Sequence, residues 1–417
     1  MARDNTKLVG TNGAQRNSDK NLARRTFLKA GLAGAGSAVL AGCSGGGGTG
    51  GDGPFKIGMT VPLIQGWEPL GRGLERAAKL RVKEINNNGG LNNQEIEVIV
   101  RDTQVDPTTT AEVARELINK DEVDFLYGPI SSANRNALGP LLSETETPLV
   151  YPVFYEGAAG NDYCHEWIFK TGAVPRQQIE PFIPYLIDEY GSNFYLIGAD
   201  YIWPQATNEI IKNTVAEEGG TVLNEQYVPL DQDDFTSIIP SIQEENPDVL
   251  LMTLTGVGVI SMQSQMAEQG VRDEWQDVQL ACDQGLLSGM SNNAVEGLLT
   301  SHPYLELLDN KMNNEFISNF HDEYGEDTLV NYSSGPAYAG VQFIEAAANS
   351  ARSTDVDDIV TEMTNVEVDT PLGEGLGMSV DHQLGSPAHV AEVQEDLKWH
   401  PIKQLRNVEL ENQCSEI

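Results

Sequence analysis

From Phe55 onward, short apolar runs alternate with helical periods, and the alternation runs through twice. Residues 55–63, 95–101, 123–127 and 148–151 read as strands, with Pro62 near the end of the first. Between the first two, Leu74, Ala77, Ala78, Val82 and Ile85 fall on one face of a 3.6-residue period. Asp106-Pro107 supplies an N-cap and a first-turn proline for a helix to about Asn119. Gly128-Pro129 stops the third strand, and Ser131 or Ser132 can cap the helix after it. Strands alternating with helices through short turns call for a doubly wound parallel sheet. A second round opens near Thr171-Gly172-Ala173, with helices expected over residues 176–190, 204–218, 235–245 and 257–269. Strands are expected over 194–197, 222–228, 249–253 and 278–281. The 375 residues after position 42 are too many for one core and suit two.

The remaining chain does not read as a third domain. Helices are expected over 310–324, 336–351 and 356–364, the middle one rich in Ala and Gly and hence tightly packed, and short strands over 375–380 and 390–394. The helices are expected to return to the first lobe and the strands to finish the second. This assigns residues 54–171 and 302–370 to lobe 1, and 172–301 and 371–417 to lobe 2. Three crossings between lobes make a hinge on which they close around a ligand.

The amino terminus carries an address. Arg24-Arg25-Thr26-Phe27-Leu28-Lys29 precedes an apolar run and then Leu40-Ala41-Gly42-Cys43. Residues 1–42 read as a twin-arginine lipoprotein signal peptide, with Cys43 lipidated as the first mature residue and residues 43–53 as a glycine-rich tether. The apolar run is about a dozen residues, short of the roughly 20 that span a bilayer, so the lipid is the only expected membrane attachment, on the outer face of the cell membrane.

Residues 1–42 hold seven Lys or Arg against two Asp or Glu, so removing them takes the formal charge from −36 to −41. Self-repulsion on that scale opposes compaction at low salt and is screened within about 3 Å at molar salt, which points to a saline habitat. No basic patch exists outside the leader, which argues against nucleic-acid binding. After Cys43, three cysteines remain; a Cys164–Cys282 disulfide and buried free thiols are both open. No Cys or His spacing suggests a metal, and no cofactor is expected.

The stretch from Gly128 to Gly157 reads as one wall of a ligand cleft. Ser131 and Ser132 stand at a helix N-terminus, and Tyr151, Val153 and Tyr155 leave the C-terminal end of a strand, where open parallel sheets hold ligands. The plainer alternative is an ordinary strand-helix-strand unit with tyrosines in its core. Trp67 lies in the loop after the first strand, and Asp283 is a lone carboxylate after a strand of the second round.

Several motifs together carry a resemblance: Glu84-Ile85-Asn86 with Gly89-Gly90, Ser131-Ser132, Tyr151-Pro152 through Tyr155-Glu156-Gly157, Thr171-Gly172-Ala173 with Pro175 and Gln177-Gln178, and Gly198-Ala199-Asp200-Tyr201 with Pro204. From Lys56 to near Trp399 the chain resembles the type I periplasmic binding proteins of ABC importers, and among them the urea and short-chain amide binders and a related amide sensor. The resemblance implies two parallel-sheet lobes on a three-segment hinge, a permease and an ATPase as partners, and ligand contacts at Ser132, Tyr151, Tyr201 and the backbone of Val153. The loop at Trp67 and the Cys282-Asp283-Gln284-Gly285 segment depart from the urea-binder pattern.

Urea and small amides are planar and neutral, with a carbonyl acceptor and N–H donors, so a matching pocket needs donors and acceptors rather than charge. Ser132 O–H and helix-start N–H groups suit the carbonyl. Val153 C=O, tyrosine hydroxyls and Asp283 suit the N–H groups, with Tyr151, Tyr201 and Trp67 over the flat faces. The alternative is a branched-chain amino acid, its carboxylate on the Ser132 helix terminus and its ammonium on Asp283. A ligand-sensing receptor is compatible with the same site. No nucleophile elbow, Walker loop or dinucleotide fingerprint is present, which argues against an enzyme.

Overall fold

The computed structural model describes residues 53–64, 67–159, 163–408, 410 and 412–414. The twin-arginine leader, Cys43 and all of the glycine tether but Gly53 lie outside the described residues, as do Gln65 and Gly66.

The first round folds as a five-stranded parallel sheet. β1 (Phe55–Val61) is flanked by β2 (Ile96–Asp102) and β3 (Phe125–Tyr127), and β4 (Leu149–Tyr151) and β5 (Ile168–Lys170) complete the order β2-β1-β3-β4-β5. Helices α1 (Glu68–Asn87), α2 (Pro107–Asn119) and α3 (Ser132–Thr145) connect the first four strands. The α1 stripe Leu74, Ala77, Ala78, Val82 and Ile85 is buried. Asp106 caps α2 by accepting from Thr109 N, and Ser131 caps α3 by accepting from Asn134 N.

The second round repeats the topology. β6 (Asn193–Ala199), β7 (Thr221–Val228), β8 (Val249–Thr253), β9 (Gln276–Gln279) and β10 (Leu299–His302) pair in parallel as β7-β6-β8-β9-β10. The expected 176–190 helix is two helices, α4 (Pro175–Ile179) and α5 (Phe182–Glu189), separated at Pro181, which has no N–H to continue the ladder. α6 (Ile202–Glu217), α7 (Ile239–Glu245) and α8 (Val257–Gln269) follow the next strands, and the short α9 (Gln284–Leu287) and α10 (Asn292–Val295) lie between β9 and β10. In each sheet the strand order reverses beside the first strand of the round, the position where such sheets leave a crevice.

The tail helices α11 (Lys311–Tyr324), α12 (Ser334–Ala351) and α13 (Val356–Glu362) return to the first lobe, where α12 packs along α1. Its Gly340 permits a close approach to the first sheet, because a Cβ there would lie 2.3 Å from Tyr127 Oη of β3. The strand expected over 375–380 in the second lobe is placed differently. β11 (Glu367–Thr370) turns at Pro371-Leu372 into β12 (Gly373–Gly377), an antiparallel hairpin beside α12. The two-residue turn sends the chain back on itself rather than across the hinge. Gln383 then bridges to Lys170 of β5, so the chain stays with the first sheet to about Leu384. Only β13 (His389–Val393) and β14 (Trp399–Gln404) join the second sheet, both antiparallel.

The end of the chain crosses back. Gln413 N donates to Asp381 Oδ2 at 2.7 Å, and Cys414 is disulfide-bonded to Cys164, Cα–Cα 5.4 Å. Of the two readings left open, the Cys164–Cys282 bridge does not form: the returning tail brings Cys414 to Cys164, and Cys282 is the buried free thiol of the other reading, its pKa pushed well up by burial.

Candidate functional site

The first wall stands at the C-terminal ends of β3 and β4. Ser132 opens α3, and Arg135 lies one turn on, 1 % exposed. Glu156, also 1 % exposed, follows the exit of β4 and binds both: Arg135 Nη2 donates to Oε1 at 2.8 Å and Ser132 Oγ to Oε2 at 2.5 Å. The guanidinium also sits over Tyr151 and Tyr155, 4.8 and 4.5 Å from their ring centroids. Tyr151 Oη donates to Ile130 O and Tyr155 Oη to Gln383 Oε1, each at 2.7 Å. This changes the role expected of Ser132: its O–H is directed to a carboxylate, a stronger acceptor than a neutral carbonyl. The carbonyl of Val153 lies against Gly172, where a Cβ would come within 2.0 Å of it.

The facing wall comes from the second lobe. Tyr201 precedes α6; burial pushes its phenol up, a hydrogen bond with Thr255 opposes this, and Glu156 adds to it. Asp283 caps α9, its Oδ1 accepting from Leu286 N at 2.8 Å. Burial raises its pKa against the pull of the Leu286 and Gly285 N–H groups, and no ion pair to it exists among the described residues. The starts of α1 and α9 meet, since a Cβ at Gly285 would lie 3.5 Å from Pro69 Cβ; Trp67, half-buried, immediately precedes α1.

Tyr332, just before α12, ties the walls together. Burial raises its pKa, and Asp283, Tyr201 and Tyr151 each add to the rise. Phe154 reaches across, its ring 4.6 Å from Tyr332 and 4.9 Å from Trp203. His302, at the end of β10, stacks on Tyr332 at 5.4 Å and 9°. Beneath this cluster lies a cavity of about 20 Å³ bordered by Asp283, His302, Tyr304, Asn331, Tyr332 and Trp399.

Sequence reasoning missed Arg135, Phe154, Trp203, His302, Tyr304 and Tyr332. Arg135 carried a signal, since i and i+3 share a helix face and Ser132 was already singled out. Among the described residues no group of three or more His, Cys, Asp or Glu is placed to hold a metal ion. No described helix is long and apolar enough to cross a membrane.

Comparisons with known proteins bear on this architecture. The Leu/Ile/Val-binding protein homolog 2 of Brucella abortus is 24% identical over 317 residues, covering 74% of this chain and 82% of that protein. A solute binding protein of an ABC transporter from R. palustris, solved in complex with benzoate, superposes with a TM-score of 0.76 at 20% identity over 86% of this chain and 98% of that one. The branched-chain amino acid transporter substrate binding protein of Streptococcus pneumoniae, solved with isoleucine, gives a TM-score of 0.74 at 16% identity over 85% of this chain and 100% of that one. The likeness of these structures concerns the fold. A family model described as periplasmic binding protein matches residues 54–398, most of the chain, and the protein belongs to that family.

Proposed function

We propose that the protein is the extracytoplasmic solute-binding component of an ABC importer, held at the outer face of the membrane by lipidated Cys43, and that its cleft captures urea or a short-chain amide by lobe closure for delivery to a permease and its ATPase. The observation that carries the ligand class is Asp283. It is a buried carboxylate with no ion pair among the described residues, and it borders a small cavity together with Tyr332. A buried acceptor of this kind is completed by a solute rich in N–H groups. It opposes a benzoate-like anion through charge repulsion in a poorly solvated site. The first wall supports a neutral solute as well, since Arg135 is already paired with Glu156.

A branched-chain amino acid is the second reading, favoured by the names of the curated relatives, with Asp283 taking the ammonium. The two readings separate by calorimetric titration of residues 43–417 in molar salt with urea, acetamide, leucine and benzoate. Urea or acetamide is expected to bind. Leucine binding abolished by Asp283→Asn would transfer the assignment to the amino acid, and benzoate binding would remove both.

A further inference from the structure

His302 and Tyr304 border the same small cavity as Asp283, and both are completely enclosed. His302 Nε2 and Tyr304 Oη have no hydrogen-bond partner among the described residues. Buried polar atoms left unpaired are costly, and these two belong to residues that border one cavity, where a bound solute can complete them.

The tautomer of His302 follows from its other nitrogen. Gln178 Nε2 donates to Ser301 O at 2.9 Å, which fixes the orientation of that amide, and the same nitrogen lies 3.4 Å from His302 Nδ1. An amide nitrogen only donates, so Nδ1 is the acceptor and the proton of the neutral ring is on Nε2. Burial pushes the imidazole down to about 3, so it stays neutral at physiological pH. The cavity is therefore bordered by residues that carry two donors, an imidazole N–H and a phenol O–H, and by two carboxylates, Asp283 and Glu306. Lys398, which also borders it, is held by Glu306 at 2.9 Å.

The geometry points to His302 and Tyr304 as the specificity-determining donor pair of the solute subsite, holding the carbonyl oxygen of an amide-type solute whose N–H groups go to Asp283. The assignment rests on the solute reading above and replaces Ser132, whose O–H is engaged by Glu156, as the carbonyl's donor. A planar solute with one acceptor and adjacent N–H donors matches two donors and one acceptor; a solute without a carbonyl leaves both donors unpaired.

Calorimetric titration of wild type, Tyr304→Phe, His302→Phe and His302→Gln with urea, acetamide and thiourea tests this, with thermal unfolding of each variant as the check on folding. Tyr304→Phe and His302→Phe keep the rings and remove one donor each, and are expected to weaken urea and acetamide about tenfold. His302→Gln restores a donor and is expected to recover part of that loss. Thiourea is a poorer acceptor, so wild type should prefer urea and Tyr304→Phe should narrow the preference, which a purely structural role would not do. Folded variants that bind urea and acetamide as wild type does would overturn the donor assignment while leaving the solute reading standing. Wild type that binds neither urea nor acetamide would overturn both.

Discussion

The two walls of the cleft are built on opposite principles. In the first lobe Arg135, Glu156, Ser132, Tyr151 and Tyr155 satisfy one another: a buried ion pair, a hydroxyl on its carboxylate, and two rings under the guanidinium. In the second, Asp283 has backbone N–H partners and no cation, and His302 Nε2 and Tyr304 Oη have no partner among the described residues. A wall held by a buried ion pair serves as a rigid platform, because changing it means breaking charged hydrogen bonds in a poor solvent. A wall with unmatched groups has a binding energy to release, and in the proposed function the solute releases it. The contrast teaches that burial of polar side chains does not by itself mark a binding surface; the state of their pairing does.

The largest expected effect comes from breaking the complete wall. Glu156→Gln leaves the Arg135 charge buried without its counter-ion and is expected to lower unfolding stability by about 3–5 kcal/mol in denaturant titration. Replacing both residues with apolar ones, Arg135→Met with Glu156→Leu, should recover most of that. A single variant within about 0.5 kcal/mol of wild type would show that the pair is not the platform described.

A similar loss, about 2–5 kcal/mol, is expected from Cys414→Ser, which frees the tail bonded to the first lobe. Because that bond touches neither wall, urea or acetamide affinity should stay within about threefold of wild type, a difference of less than 1 kcal/mol. A larger change in affinity would mean that the tail helps set the closed arrangement.

The smallest effect on stability is expected at the incomplete wall. Burial raises the pKa of Asp283 above its unfolded value, so folding favours the protonated form. Its stabilising contribution is present below the ordinary carboxylate range and is lost as pH rises through the folded value. Asp283→Asn, which keeps the capping oxygen, should thus be as stable as wild type or up to about 1 kcal/mol more stable at pH 7, with the difference shrinking in acid. Denaturant midpoints across pH 3–8 check this, and a variant less stable at pH 7 than at pH 4, relative to wild type, would contradict it.

Much of the fold was legible because its signals are local. The 3.6-residue stripe from Leu74 to Ile85 and the caps at Asp106 and Ser131 require no knowledge of the rest of the chain. What failed was non-local. The three-residue strand Ile168–Lys170 is too short to show a period, and the strand expected over 375–380 was sent to the second lobe because lobe membership depends on a turn and on pairing with Lys170. Similarly, Tyr151 was singled out as a strand-end residue, where position alone suggests a crevice, whereas Tyr201 and Asp283 came from comparison with the family's pattern. His302 and Tyr332 were missed because nothing in their neighbourhoods marks them. They meet only where a strand of the second round and a helix from the tail converge, and the Cys164–Cys414 pairing was hidden for the same reason.

That pairing makes the molecule something other than a linear chain. Residues 164 to 414, a separation of 250, form a covalent ring that takes in the whole second sheet and every crossing of the hinge. A peptide bond cut at any exposed loop inside the ring opens it without releasing a fragment, and both halves remain attached through the sulfur bridge while the packed lobes hold their places. A protein working outside the cell meets proteases that it cannot repair after, and closure into a ring lets it survive a first cut as one piece, separable only once the bond is reduced.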